Sequence, residues 1–194
     1  MNVIFGGAFN PPTIAHYEIA KHVLQLPLVT SLTFVPVGDH YEKPDLISAC
    51  HRYRMLAIMT EFLPKTSISK VEIKSDREMK TIETLEYMQK NKPHEKFAFL
   101  MGADNLGKLT EWHDYEKLIR NFKLLILDRG ELDIQMVIDE HFAFAKENFI
   151  VIDDFKKNDI SSTAYRNDLS KKGFLLPEVV TYIKKHELYR REND

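Results

Sequence analysis

The stretch from Val3 to His16 constrains the chain most. It reads Val-Ile-Phe-Gly-Gly-Ala-Phe-Asn-Pro-Pro-Thr-Ile-Ala-His. Three apolar β-forming residues run directly into Gly6 and Gly7, which is how a buried strand ends at a backbone turn. Asn10 and the two prolines after it prevent a helix from starting at once. Helical spacing of apolar residues begins only near His16. The stretch therefore predicts a strand, a glycine turn and a helix N-terminus in close succession.

Such a junction predicts phosphate binding, because its backbone N–H groups point outward and favour anions. The motif is neither the Gly-x-Gly-x-x-Gly of dinucleotide-binding folds nor a loop that ends in Gly-Lys-Ser/Thr. Thr13 and His16 stand at the mouth of the predicted helix, where both can face one phosphate. The alternative is an ordinary strand-ending turn, with Thr13 as an N-cap and His16 on the surface.

The rest of the chain alternates strand-like and helical segments. Further strands are predicted at 31–35, 71–73, 97–101, 124–127 and 149–152. Helices are predicted after Ser48, over 81–89, after Ser161 and from Pro177. Segment 97–101 is apolar throughout, as in a central parallel strand. We therefore predict an α/β fold, a single doubly wound domain over residues 1–194 with a mostly parallel central sheet, in which ligands bind beyond the carboxyl ends of the strands.

Composition excludes several classes of protein. The net charge is -2, from 27 basic and 29 acidic residues, so there is no global attraction for nucleic acid or an anionic membrane. Cys50 is the only cysteine, which excludes an intrachain disulfide, and we expect it to be buried as a small apolar residue. Neither a secretory signal nor a run of transmembrane length is evident. We expect a cytoplasmic protein without a nucleic-acid or membrane partner.

Polar residues follow the predicted strands, where a ligand would lie. Lys43 stands in the loop after the second strand, although an ordinary solvated lysine is the alternative. Gly102 would let a ligand approach the backbone, and Asp104 would accept hydrogen bonds from ribose hydroxyls. Trp112 lies in a polar context, which suits stacking on a base or a pyridine ring. The fork of Arg129 fits a phosphate or a carboxylate.

A second constellation lies near the end of the chain. Ser161, Ser162 and Thr163 open a predicted helix, and Arg166 lies on the same helix face as Thr163. Three hydroxyls, free N–H groups and one guanidinium can surround a polyphosphate. A capping box does not explain them, because no Glu or Gln follows any of these hydroxyls by three residues. Plain N-capping needs only one hydroxyl, so the cluster favours a binding function.

Together these motifs resemble the nicotinamide/nicotinate mononucleotide adenylyltransferases, members of the nucleotidylyltransferase superfamily with a Rossmann-like fold. The resemblance is carried by Gly-Gly-x-Phe-x-Pro-x-Thr-x-x-His at the start and Ile-Ser-Ser-Thr-x-x-Arg at 160–166, and it covers nearly the whole chain. Segments 38–41 and 46–52 look more like the eukaryotic members. Ala15 departs from the family pattern, which usually has glycine before the histidine.

The resemblance implies a reaction in which the phosphate of the mononucleotide attacks the α-phosphorus of ATP and pyrophosphate leaves. It implies a catalytic role for His16, Thr13, Lys43 and Arg166. It assigns ATP binding to Gly6, Gly7, Phe9, His16, Lys43, Ser161, Ser162, Thr163 and Arg166, with residues 159–194 as a helical part that completes this site. It assigns mononucleotide binding to Gly102, Asp104, Leu106, Trp112 and Arg129. Mg²⁺ would be held mainly by ATP phosphates and water, without a protein metal site.

Other classes share parts of this pattern. Another small-molecule adenylyl- or cytidylyltransferase, such as a pantetheine-phosphate enzyme, has a similar N-terminal signature. A class I aminoacyl-tRNA synthetase fragment would need a Lys-Met-Ser-Lys-Ser-like loop, which is not found. A nucleotide-sensing module without turnover is a third alternative. Within the leading interpretation we expect both the nicotinate and the nicotinamide mononucleotide to be substrates. The sequence leaves open whether the protein is a homo-oligomer.

Overall fold

The computed structural model describes residues 1–128, 130, 132–155 and 159–190. The strands in these ranges are β1 Asn2–Gly7, β2 Ser31–Pro36, β3 Thr66–Ile68, β4 Phe97–Gly102, β5 Lys123–Leu127 and β6 Phe149–Ile152. They form one sheet in the order β3-β2-β1-β4-β5-β6, and every neighbouring pair is parallel. The predicted doubly wound α/β fold is confirmed. The direction of winding reverses between β1 and β4, which is where such sheets bind ligands.

Helices connect the strands. They are α1 Ile14–Val23, α2 Ala49–Thr60, α3 Thr81–Asn91, α4 Ala103–Leu106, α5 Tyr115–Asn121, α6 Ile134–His141, α7 Ser162–Asn167 and α8 Pro177–Lys185. The predicted caps are observed, since the Ser48 hydroxyl accepts from the Cys50 N–H and the Ser161 hydroxyl accepts from the Ala164 N–H. Pro177 is the first residue of α8. Its fixed φ and missing N–H suit that position.

Some local predictions were wrong. Residues 71–74 form a turn, closed by a hydrogen bond of 2.9 Å from the Lys74 N–H to the Lys70 carbonyl, and not a strand. The segment Thr66–Ile68 pairs with β2 in its place, while Val71 packs against the core from the turn. Cys50 is exposed and not buried, because it stands in the first turn of α2 outside the apolar face of that helix.

The hydrophobic core lies on both faces of the sheet. Val3 belongs to the cluster that includes residues of α1 and α2, whereas Ile4 belongs to the cluster that includes residues of α3, α5 and α6. This division follows from the alternation of side chains along a strand. A third cluster contains Met55 of α2 and Val179 of α8, so the C-terminal helices pack onto the body of the fold. None of the helices in the described ranges has the length and apolar character needed to cross a bilayer.

Candidate active site

A cavity of about 460 Å³ opens at the carboxyl ends of β1 and β4, where the winding of the sheet reverses. Five of the predicted site residues line it, namely Gly6, Gly7, Gly102, Asp104 and Trp112. The first two end β1, and Gly102 ends β4 and precedes the first turn of α4. Tertiary structure therefore brings together residues that the sequence places about a hundred positions apart.

Trp112 forms part of the cavity wall and is half-buried. Its indole packs against the ring of Phe99 in an edge-to-face arrangement, with ring centroids 6.0 Å apart and an angle of 73° between the planes. This contact with a residue of β4 orients the indole. The indole is the group on which the predicted stacking of a flat ligand ring would occur, and it lies in the cavity wall.

The end of β1, where Gly6 and Gly7 still pair with β2, rests on a buried aromatic ring. Phe9 is 2% exposed, and its ring lies 5.1 Å from that of His16 between centroids. A Cβ atom on Gly7 would stand 3.2 Å from Cζ of Phe9, so the glycine permits this close packing. Phe9 itself has a φ of 46°, a left-handed conformation that costs free energy in a residue with a Cβ atom. Phe9 thus lies beneath His16 as a support for the loop.

The pair Thr13 and His16 has a defined hydrogen-bond arrangement. The Thr13 N–H donates to Nδ1 of His16 over 2.9 Å, and the Thr13 hydroxyl lies 2.8 Å from the same nitrogen. An N–H can only donate, so Nδ1 is the acceptor and the neutral ring carries its proton on Nε2. Thr13 is fully buried, which leaves His16 as the member of the pair that can meet a ligand.

Helix α7 is bonded to the N-terminal signature. Nη1 of Arg166 donates to the Asn10 carbonyl over 2.8 Å, and its Nη2 donates to the Thr163 hydroxyl over 3.4 Å. The Ser162 hydroxyl donates to the Pro11 carbonyl over 2.8 Å. The two predicted polyphosphate motifs, at opposite ends of the sequence, therefore form one continuous surface.

Lys43 lies within electrostatic range of this surface. Its side chain is exposed overall, but partial desolvation of the ammonium group lowers its pKa, and the positive charge of Arg166 lowers it further. Two cations held near each other raise the local potential and attract a multiply charged anion. The arrangement suits the phosphates of a nucleotide.

Comparisons with known proteins agree with this geometry. The profile of the Cytidylyltransferase-like family matches residues 4–168. The chain belongs to this family. A probable nicotinate-nucleotide adenylyltransferase of Acholeplasma laidlawii is 31% identical over 97% of this chain and 97% of its own length. One of Caldicellulosiruptor bescii is 32% identical over 97% of this chain and 98% of its own length.

Solved structures show the same fold. The nicotinic acid mononucleotide adenylyltransferase of Plasmodium falciparum complexed with NaAD has a TM-score of 0.79 and 22% identity, covering 97% of this chain and 96% of its own. The same enzyme complexed with APC gives a TM-score of 0.76 at 23% identity, with the same coverage. These structures show the Rossmann-like fold. The family and the relatives show that the chain is a nucleotidyltransferase, which sets aside the synthetase fragment and the sensing module.

Not every predicted residue reaches the cavity of this nucleotidyltransferase. Leu106 is completely buried in the core, because the last residue of α4 faces the sheet and Asp104 faces outward. The side chain of Leu106 is therefore turned away from the cavity, and a contact through its backbone stays a prediction. Arg129 lies outside the described residues.

Arg52 is a structural cation that the sequence analysis did not single out. Its side chain is completely buried, and it donates to the carbonyls of Ile47 over 2.8 Å and Ala8 over 3.1 Å. Asp39 accepts from its Nη2 over 3.3 Å. Burial lowers the pKa of Arg52, and Asp39 opposes that effect. The sequence did contain one signal for this buried role. Arg52 stands three positions before Met55, on the apolar face of a predicted helix.

Glu72 and Thr84 also line the cavity and were missed. Burial raises the pKa of the Glu72 carboxyl to about 7, against the opposing hydrogen bond from Thr84. Two threonines one helical turn apart, Thr81 and Thr84, could have been recognised at the start of α3. Nothing local in the sequence indicated that Glu72 faces them.

No set of three or more His, Cys, Asp or Glu side chains among the described residues is arranged to hold a metal ion. Every buried side-chain nitrogen or oxygen within the same ranges has a hydrogen-bond partner.

Proposed function

We propose that this protein transfers AMP from ATP to nicotinate mononucleotide, with nicotinamide mononucleotide as a second acceptor, and releases pyrophosphate. The observation that carries the proposal is the bond from Arg166 to the Asn10 carbonyl, which joins the two polyphosphate motifs beside a cavity walled by Trp112. The names of the relatives support nicotinate mononucleotide as an acceptor. A pantetheine-phosphate enzyme is the second candidate, but no relative described above carries that name.

The ATP phosphates would bind along Gly6 and Gly7 at the end of β1 and along helix α7. His16 would donate from Nε2, and Lys43 and Arg166 would contribute positive charge. The Thr163 hydroxyl accepts from Arg166, while Ser162 stands in the first turn of α7 and Ser161 at its N-cap. The described helices within residues 159–194 would in this way complete the ATP site. Thr13 and Phe9 would act by positioning His16, because both are buried.

The mononucleotide would occupy the cavity. Asp104 would accept from the ribose hydroxyls, and Gly102 would allow the close approach of the ligand to β4. Trp112 would stack on the pyridine ring. The Leu106 side chain would contribute only packing behind the site. A contact from Arg129 stays a prediction.

The chemistry needs alignment and charge stabilisation more than proton transfer. The attacking phosphate is largely ionised at neutral pH, since its second pKa is about 6, so no general base is required. His16, Lys43 and Arg166 would hold the ATP phosphates and stabilise the charge of the transition state. Mg²⁺ would be held mainly by ATP phosphate oxygens and water, as the resemblance implies. When bound, it would neutralise part of the phosphate charge.

Pyrophosphate release tests the proposal. The purified protein is incubated with ATP, Mg²⁺ and one acceptor at a time, namely nicotinate mononucleotide, nicotinamide mononucleotide, phosphopantetheine or none. We expect turnover with the two pyridine nucleotides alone, and the dinucleotide product as a second readout. Turnover with phosphopantetheine alone would support the second candidate, and no turnover with any acceptor would contradict both. The cytoplasmic setting and a homo-oligomeric state stay predictions.

A further inference from the structure

The Glu72 carboxyl and the Thr84 hydroxyl form a pair in the wall of the cavity. The Thr84 Oγ1–H donates to Oε1 of Glu72 over 2.8 Å. Trp112 lines the same cavity. A group that stacks on the indole would therefore lie in the same chamber as this acidic pair.

The backbone holds Glu72 in place. The Ser75 N–H donates to the Glu72 carbonyl over 3.2 Å, within the turn at 71–74. The loop that contains Gly38 approaches this carbonyl closely, since a Cβ atom on Gly38 would stand only 2.3 Å from its oxygen. The backbone of Glu72 is thus packed from two sides, and the hydrogen bond to Thr84 orients its carboxyl.

The charges around Glu72 leave its carboxyl without a strong ion pair among the described residues. The positive charge of Arg52 in α2 lowers the pKa of the Glu72 carboxyl without a hydrogen bond to it. The hydrogen bonds of Arg52 go to Asp39 and to backbone carbonyls. Glu78, which precedes α3, repels it and is itself paired with Lys80 over 2.6 Å. Burial is the largest effect on this carboxyl, and it favours the neutral form.

The protonation state of Glu72 decides what the Thr84 hydroxyl can offer. A hydroxyl has one proton, and when the ionised carboxylate takes it, the Thr84 oxygen can only accept from a ligand. A charged carboxylate and an accepting hydroxyl favour the N–H groups of a carboxamide and repel a carboxylate. When the Glu72 carboxyl is protonated, the Thr84 hydroxyl need not donate its proton to it. Either the carboxylic acid or the freed hydroxyl can then donate to a carboxylate.

We propose that the Glu72–Thr84 pair determines which pyridine mononucleotide the cavity accepts, the ionised pair selecting the carboxamide and the protonated pair admitting the carboxylate. This inference rests on the proposed function and deepens it, because it assigns the choice between the two acceptors to two residues. Glu72 is a specificity-determining residue in this scheme.

The first test needs no variant. The kcat/KM for each mononucleotide is measured between about pH 6 and about pH 8, and the acid-to-amide ratio is plotted. A carboxyl with a pKa of about 7 is about one-tenth ionised at the lower limit and about nine-tenths ionised at the upper one. The ratio is therefore expected to fall at least tenfold as pH rises. Ionisation of the attacking phosphate, common to both substrates, cancels in the ratio.

The second test removes the titrating group. Glu72→Gln keeps the shape of the side chain and can donate to a carboxylate. The acid-to-amide ratio of kcat/KM should therefore become independent of pH and continue to favour the acid. Ionisation of Glu72 is unfavourable in the folded state, because its pKa is raised, and stability is lost as pH rises through about 7. The Gln variant should therefore be at least as stable as the wild type at about pH 8. Thr84→Ser should retain the pH dependence, and Thr84→Val should weaken it.

Glu78→Gln is the matched control. Glu78 lines the same cavity and has the same side chain, but its carboxylate pairs with Lys80 and not with Thr84. The pH dependence of the ratio should survive in this variant. Its midpoint should move to lower pH, because one charge that repels the Glu72 carboxylate is removed.

Two results would overturn the inference while leaving the proposed function intact. One is a flat acid-to-amide ratio in the wild type. The other is a pH-dependent ratio that persists in a folded Glu72→Gln variant. If only one mononucleotide turns over, the Ki of the other as a competitive inhibitor replaces its kcat/KM. Failure of the proposed function is distinct, because neither mononucleotide would then turn over or compete at any pH.

Discussion

The hydroxyl of Tyr189 donates a hydrogen bond of 2.9 Å to the side-chain oxygen of Asn10, at the opposite end of the chain. Asn10 is 1% exposed, and its amide donates to the Asp45 carbonyl over 2.8 Å. Its own carbonyl accepts from Arg166. Burial raises the pKa of Tyr189, so the phenol stays protonated and donates. One buried asparagine thus joins the signature loop, the Lys43 loop and the C-terminal segment.

Tyr189→Phe should loosen this junction. The variant loses one buried hydrogen bond, and we expect its free energy of unfolding to fall by about 1 kcal/mol. We also expect a higher KM for ATP, since Asn10 orients Arg166 through its carbonyl. Urea denaturation and steady-state kinetics measure the two effects. Tyr182→Phe is the control, because Tyr182 bonds to His51 and not to the signature. If both substitutions raised the KM for ATP equally, the proposed role of Tyr189 in positioning Asn10 and Arg166 would be contradicted.

His16→Ala should lower kcat and should also lower the free energy of unfolding by about 1 kcal/mol, because the Thr13 N–H loses its acceptor. Loss of a donor to the charge that develops in the transition state costs on the order of 10²–10³ in rate. His16 is half-buried, so its removal leaves a smaller packing defect than a core deletion would. Thr13→Val, which retains the backbone N–H bond to Nδ1, should have a smaller effect. A folded His16→Ala variant with wild-type kcat would refute the assignment.

Arg166→Ala should raise the KM for ATP and slow turnover. It removes a charge-assisted contact to the leaving pyrophosphate, together with the bond to the Asn10 carbonyl. Arg120→Ala is the matched control, because that guanidinium lies over the ring of Phe144, 4.6 Å from its centroid, on α5. A rise in the KM for the mononucleotide with unchanged ATP kinetics would show that the two subsites are wrongly assigned.

Trp112→Ala should weaken the binding of both mononucleotides equally. Loss of ring stacking costs roughly 1–3 kcal/mol if base–aromatic stacking is a fair guide. The acid and the amide rings are flat and equal in size, so stacking cannot discriminate between them. Parallel kcat/KM measurements on the two acceptors check the prediction. A loss confined to one acceptor would mean that Trp112 contacts the substituent on the ring.

Gly38→Ala should destabilise the protein. The new methyl group would stand 2.3 Å from the Glu72 carbonyl oxygen, so the turn at 71–74 must move. Overpacking of this kind costs roughly 1–3 kcal/mol. Gly107→Ala is the control, since a Cβ atom there meets nothing within 4 Å. Midpoints of urea unfolding compare the two variants, and equal midpoints would contradict the predicted clash.

Residues whose role depends on local structure were predicted from the sequence alone. The apolar run of β4, the strand that reaches Gly6 and Gly7 and the helix that begins after Ser161 were all recognisable, because each is specified within a few neighbouring residues. The turn predicted at the two glycines was wrong, since both still belong to β1 and pair with β2. The doubly wound architecture was also expected, since alternation of strands and helices leaves few topologies, but the strand order came from the structure. The motifs predicted to bind phosphate were recognisable for the same reason, because their residues are close together in the chain.

Only the tertiary structure decided which side chains meet. Phe9 and Leu106 stand next to site residues in the chain, but the loop and the helix end direct both into the core. Val71 has strand propensity, yet a turn buries it, because Thr66–Ile68 already pairs with β2. The Glu72–Thr84 pair joins two residues twelve positions apart on different elements, and the Tyr189–Asn10 pair joins the ends of the chain. Such contacts follow from how whole elements pack, and local periodicity does not specify that packing.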